Sequence, residues 1–124
     1  MSDAIDGLNR RTIYQLMDAY DLVADVAEKL PTPITLPVAL AGTDWSERTA
    51  AVAHAVEIAM EIPGASYELR EAFQYACLGW YSASIIMTQQ MRAPRFAGYK
   101  AVQLQIATAE QYAADARRVL DIEG

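Results

Sequence analysis

The chain has 124 residues, 53 % of them hydrophobic, and a formal net charge of −6. This length predicts one domain over residues 1–124, which can bury about two-thirds of its unfolded surface without a disulfide or a metal. The acidic balance argues against nucleic acid as a partner, because binding to phosphates depends on Lys and Arg. It is compatible with a protein partner that has a basic surface.

The first predicted helix begins at about Asp6 or Asn9 and ends at Leu30, before Pro31. Its apolar residues recur at helical spacing, while its acidic residues occupy the other side. The N-terminal residues MSDAIDGLNRR have no apolar core and therefore do not resemble a secretory signal. Together with a single cysteine, Cys77, which we expect to be a buried small hydrophobic residue, this favours a cytoplasmic protein.

The segment from Pro31 to Thr43 reads PTPITLPVALAGT and contains three prolines and no charge. A solvated connection of this length should be polar, so this one is expected to pack against apolar surface. Two alternatives are open. The loop covers one end of its own bundle, or it contributes to a contact with a subunit or partner.

A capping box at Asp44–Glu47 predicts the start of the second helix, which runs to about Ile62 and is stopped by Pro63. Ser66 is expected to cap a third helix that ends near Arg92. A fourth helix is predicted from about residue 97 to about residue 121, with alternating four- and three-residue spacing of its apolar residues. The pattern indicates an all-α fold, a four-helix bundle with a long apolar, proline-containing loop between the first and second helices.

The third helix contains the most informative stretch, Ala72–Met91, which reads AFQYACLGWYSASIIMTQQM. These twenty residues include no formal charge, and the apolar side chains do not keep to one stripe. A helix that is apolar on most sides must be covered on most sides. The stretch therefore predicts a central helix, a subunit interface, or both. Its glutamines, serines and threonine argue against a membrane span.

Catalytic and metal-binding patterns are weak in this sequence. The one histidine, His54, forms a reversed pair with Glu57 and lies on one helical stripe with Glu47 and Glu61, which we interpret as a solvent-facing side. A di-iron bundle needs two such pairs from separate helices. No metal or cofactor is therefore predicted, and no catalytic residue is assigned.

Arg48 and His54 have an Arg-x5-His spacing that resembles the signature of the HEPN ribonucleases. The resemblance implies that Arg48 would bind phosphate and that His54 would act in RNA cleavage. It covers two residues, in the second helix rather than near the end of the chain. Thr49 also stands where that family tends to have a more polar residue. The solvent-facing interpretation of His54 is preferred.

Two groups of residues are candidates for binding. The third helix supplies tyrosine, tryptophan and methionine, which are favoured at interfaces. Basic and aromatic residues alternate around the turn after it, where cations beside rings can hold an anion. The alternative for the turn is that its cations complement the negative end of the helix and keep it soluble. The predicted binding residues are Tyr75, Trp80, Tyr81, Arg92, Arg95 and Tyr99.

The sequence therefore predicts a non-enzymatic helical binding protein, an adaptor, inhibitor or immunity-type protein, that acts through an apolar and aromatic surface. Its expected partners are a second copy of itself, in a homodimer or higher oligomer, and another protein. The alternative is a bundle that binds a small ligand, or a cofactor-free enzyme, with a pocket near Tyr75, Trp80 and Tyr81.

Overall fold

A computed structural model describes residues 2–38 and 45–123 of the chain. Its helices are α1 (Ser2–Lys29), α2 (Trp45–Ile58), α3 (Tyr67–Arg92) and α4 (Phe96–Glu123). A single 3-10 turn, Ala59–Glu61, continues from α2. No strand occurs in the two described ranges. The predicted all-α four-helix fold is confirmed.

The helix ends follow local sequence signals. The Ser66 side chain accepts a hydrogen bond from the Leu69 backbone N–H at 3.2 Å, so the predicted cap of α3 is confirmed. α1 begins earlier than predicted, at Ser2. Asp44 of the predicted capping box lies outside the described residues. Gly64 turns the chain between α2 and α3 with a φ of 80°, a conformation that favours glycine.

α3 is central, because it packs against each of the other three helices. On the α2 side, the Gln74 amide donates to the Val56 carbonyl at 3.1 Å. On the α1 side, the Trp80 indole N–H donates to the Leu16 carbonyl at 2.8 Å. These contacts fix the rotation of α3 and therefore which of its residues remain exposed.

The contact between α3 and α4 depends on small residues. Gly79 lies so close to α4 that a Cβ atom built on it would be 3.0 Å from the Ala109 backbone nitrogen. Small side chains on both helices permit this approach. The apolar positions predicted for α4 are buried, except that Leu120 is half-buried: Val102, Ile106, Ala109, Ala113 and Ala116.

The aromatic centre of the core surrounds Trp80, which is fully buried. Its ring lies 5.0 Å from the Tyr20 ring and 5.6 Å from the Trp45 ring, measured between centroids. Rings at these distances and tilted angles attract one another beyond the burial of their area. The three rings join α1, through Tyr20, and the first residue of α2, Trp45, to the middle of α3.

The first part of the apolar loop packs on its own bundle. Leu36 is buried, and the Tyr20 hydroxyl donates to the Pro37 carbonyl. Val38 points outward and is 66 % exposed. Residues 39–43 of the predicted loop lie outside the described residues. The first of the two alternatives for the loop therefore holds at Leu36.

Candidate binding surface

The side of α3 that faces away from α1 is only partly covered by the other described residues. Five residues on it are Tyr75, Leu78, Ser82, Ile85 and Gln89, which we call the α3 outer face. Tyr75, Leu78 and Ile85 are each about 40 % exposed, a large fraction for apolar side chains on a central helix. The outer face contains no formal charge. It is therefore an uncharged, mainly apolar surface that the other described residues leave partly exposed.

The spacing of the outer face is regular. Its residues follow one another at intervals of three, four, three and four, which is the spacing of the a and d positions in a coiled coil. The opposite side of α3, which includes Phe73, Trp80 and Met87, is buried in the core. α3 thus has one apolar side inside the bundle and a second, narrower one outside it.

Residues from the neighbouring helices border the outer face. On the α4 side, the Tyr112 ring packs 5.1 Å from the Tyr75 ring. On the α2 side, half-buried Tyr81 lines a shallow groove beside Ile85, together with Ala50 and Ala53. The apolar surface is therefore wider than a single helix.

A second apolar feature, which we call the Trp45 cleft, lies beside the C-terminal end of α3. It has a volume of about 410 Å³ and is open to solvent. The described residues that line it are Ile13, Trp45, Met87, Thr88, Met91 and Arg92. Arg92, in the last turn of α3, is the one charged residue among them.

Arg48 holds the wall of this cleft in place. Its side chain is buried, and its guanidinium lies 5.4 Å from the centre of the Trp45 ring and 5.8 Å from that of Tyr20. Contacts between a desolvated cation and aromatic rings are attractive. Burial raises the pKa of Tyr20 to about 12, and the positive charge of Arg48 opposes this rise. Arg48 therefore orients Trp45 from the inside of the protein.

The Arg-x5-His pair does not form a site at the surface. Arg48 is enclosed by aromatic rings, whereas His54 is exposed. His54 shares the exposed side of α2 with Glu47 and Glu57, as predicted. The geometry gives no support to the phosphate-binding and cleavage roles that the HEPN resemblance implies.

The residues predicted around Trp80 point in three directions. Tyr75 packs toward α4, Trp80 toward α1, and Tyr81 lines the groove on the α2 side. Among the described residues, these three side chains do not converge on one pocket, and the small-ligand alternative stays a prediction. Tyr75 and Tyr81 are at the surface, and Trp80 belongs to the core.

The turn between α3 and α4 also divides its predicted residues. Arg95 is exposed, and its carbonyl accepts a hydrogen bond from the Gln90 amide at 2.6 Å. Tyr99 is buried, and its hydroxyl donates to the Asn9 side chain, so it joins α4 to α1. Arg92 faces the Trp45 cleft instead of a common site with these two residues.

Sequence reasoning missed Leu78 and Ile85 of the outer face, and Ile13 and Trp45 of the cleft. The three-four spacing from Tyr75 to Gln89 places these residues on one side of α3, but the buried side has the same spacing, so the pattern does not show which side is exposed. The cleft brings together residues from three helices, and no local pattern indicates that arrangement.

Reactive groups of the described residues do not converge. Cys77 is buried, and burial raises the pKa of its thiol well above its ordinary value, so the nucleophilic thiolate is disfavoured. Within residues 2–38 and 45–123, no group of three or more His, Cys, Asp or Glu side chains could hold a metal ion. Over the same ranges, no helix has the length and apolar character needed to cross a membrane.

Comparisons with protein-family models, curated proteins and solved structures find no match to the chain.

Proposed function

We propose that this chain is a non-enzymatic binding protein that acts as a homo-oligomer, and that two copies associate through the α3 outer face. The observation that supports this most directly is the uncharged apolar strip with coiled-coil spacing on the exposed side of the central helix. Such a strip is rare on monomers without a binding role. An adaptor, inhibitor or immunity-type protein would use a surface of this kind, and we place it in the cytoplasm.

The outer face suits a second copy of the same chain. Tyr75 and Gln89 lie seven residues on either side of Ser82, and Leu78 and Ile85 lie four residues before it and three after it. An antiparallel copy centred on Ser82 would therefore bring Leu78 near Ile85 of the partner subunit. The same arrangement would bring Tyr75 beside Gln89 of the partner subunit. A twofold contact of this kind uses the same patch on both subunits. A small residue at the centre would let the two helices approach closely.

Charge and size restrict where two copies could associate. Each copy has a formal charge of −6, so two copies repel each other overall, and a contact surface without charged side chains adds no local repulsion. The strip from Tyr75 to Gln89 is about 21 Å long at 1.5 Å per residue. A stable interface buries about 800 Å² on each partner, which is more than one helix supplies. Tyr112 and Tyr81 on either side would supply part of the remainder.

The test compares two exposed leucines. Leu78 lies on the outer face and is 40 % exposed, whereas Leu22 lies on α1 and is 46 % exposed. In sedimentation equilibrium at micromolar concentration, the wild type should exceed 13.6 kDa. Leu78→Lys should sediment as a monomer, because it would bury a charge at the interface. Leu22→Lys should sediment like the wild type.

Two outcomes would contradict the proposal. A wild-type protein that sediments only at 13.6 kDa would exclude self-association under these conditions. An equal effect of Leu78→Lys and Leu22→Lys would show that the outer face is not the interface. Circular dichroism of both variants should show unchanged helicity, since both positions are exposed.

A further inference from the structure

The Trp45 cleft has the dimensions and lining of a ligand site. Its volume of about 410 Å³ lies in the range of small-molecule pockets, which are mostly apolar with a few polar groups that fix orientation. Here the apolar walls come from Ile13, Trp45, Met87 and Met91, on three different helices. A cleft between helices is a common place for a ligand in a bundle.

The two sides of the cleft differ in stiffness. Trp45 is held by Arg48 at 5.4 Å and by the Trp80 ring at 5.6 Å. Met91, which is exposed, forms the opposite side together with the edge of the buried Met87, and methionine side chains are unbranched and adapt to the shape of what they contact. A flexible, linear apolar chain fits such a site better than a rigid ring system does.

Arg92 places a positive charge at the edge of the otherwise mostly apolar cleft. Its side chain is exposed, and it forms no ion pair with the residues that the structure describes. The other polar side chain in the lining is Thr88, whose hydroxyl donates to the Ser84 carbonyl at 3.0 Å. A guanidinium beside an apolar cleft on an acidic protein is complementary to an anion attached to an apolar chain.

We propose that the Trp45 cleft binds a small amphiphile with a linear apolar chain and a carboxylate, whose carboxylate is held by Arg92. The chain of the ligand would lie between Met91 on one side and Trp45 on the other. None of the five residues of the α3 outer face lines this cleft, although Trp45 and Thr88 also line the groove beside Ile85.

The experiment is isothermal titration calorimetry of the full chain with decanoate below its micelle concentration. The wild type should bind in a saturable way, with one site per chain. Arg92→Gln should weaken decanoate binding about tenfold, the effect of losing a hydrogen bond to a charged group. The matched control is Arg95→Gln, which removes an exposed cation from the same turn but outside the cleft. It should bind decanoate like the wild type.

Two further measurements separate the apolar and charged parts of the site. Decanol should bind wild type and Arg92→Gln equally, because it has no charge for Arg92 to recognise. Met91→Ser should weaken both decanoate and decanol, since it removes apolar lining at a position that is 59 % exposed. Leu78→Lys should bind decanoate like the wild type, which distinguishes a failure of this proposal from a failure of self-association.

Three results would overturn the proposal. The first is the lack of saturable decanoate binding by the wild type. The second is an equal loss of decanoate affinity in Arg95→Gln and Arg92→Gln, which would indicate that the positive charge of the turn attracts the carboxylate without a specific contact. The third is decanoate binding that Met91→Ser leaves unchanged, which would place the chain of the ligand elsewhere.

Discussion

Replacing Gly79 with alanine tests the close contact between α3 and α4. A Cβ atom at this position would lie 3.0 Å from the Ala109 backbone nitrogen and 3.2 Å from the Gln105 carbonyl oxygen. Both neighbours are backbone atoms, so no side chain can rotate to make room. The two helices would have to separate along their contact.

The expected magnitude follows from two opposing effects. Alanine is favoured over glycine inside a helix by about 1 kcal/mol. Overpacking a well-packed contact costs about 1–3 kcal/mol. Gly79→Ala should therefore lower the free energy of unfolding by about 1 kcal/mol. The control is Gly7→Ala in α1, where an added Cβ meets nothing within 4 Å, so this variant should be slightly more stable than the wild type.

The assay is equilibrium unfolding in urea at one fixed protein concentration, because association would make stability depend on concentration. The difference between the two alanine variants is the informative quantity, since it cancels the common gain in helix propensity. If Gly79→Ala were as stable as Gly7→Ala, α3 and α4 would not be in the close contact described above.

Further expectations concern the core, the exposed side of α2 and alkaline pH. Trp80→Ala should lower the free energy of unfolding measured in urea by about 3–5 kcal/mol, because Trp80 is fully buried. His54→Ala should change it by no more than about 0.5 kcal/mol, because His54 is exposed. A larger loss in His54→Ala than in Trp80→Ala would contradict the rotation of α2 described above. Burial raises the pKa of Tyr20 from an ordinary value of 10.0 to about 12, so the folded state favours the neutral phenol. The resulting contribution to the free energy of unfolding is complete below pH 10 and is lost as the pH rises to about 12. The stability difference between wild type and Tyr20→Phe should therefore shrink from pH 10 to 12, and a constant difference would count against the buried phenol.

The helices could be predicted because their signals are local. Apolar residues at helical spacing, with Pro31, Pro63 and Pro94 at the breaks, determine where each helix ends. The same helical periodicity predicted that His54 lies on the exposed side of α2. The rotation of α3 could not be derived, since an uncharged helix has no polar side to indicate its orientation.

The candidate surfaces were predicted only in part. Tyr75 and Tyr81 are at the surface, but Tyr99 faces inward because its position on α4 lies on the buried side. Burial of Arg48 had no signal in the sequence, because arginine is mostly exposed in proteins. Its site forms where Tyr20 and Trp45 converge from separate parts of the chain, which is a property of the tertiary structure.

Cross-linking at Ser82 tests most directly whether two copies associate through the α3 outer face around this residue. In Ser82→Cys, the new thiols of two subunits would meet at the twofold axis, while Cys77 is buried and does not compete. After mild oxidation, denaturing electrophoresis should show a covalent dimer. Ala114→Cys, at an exposed small residue of α4, should remain monomeric. A monomeric Ser82→Cys, or equal cross-linking of both variants, would contradict the proposed interface.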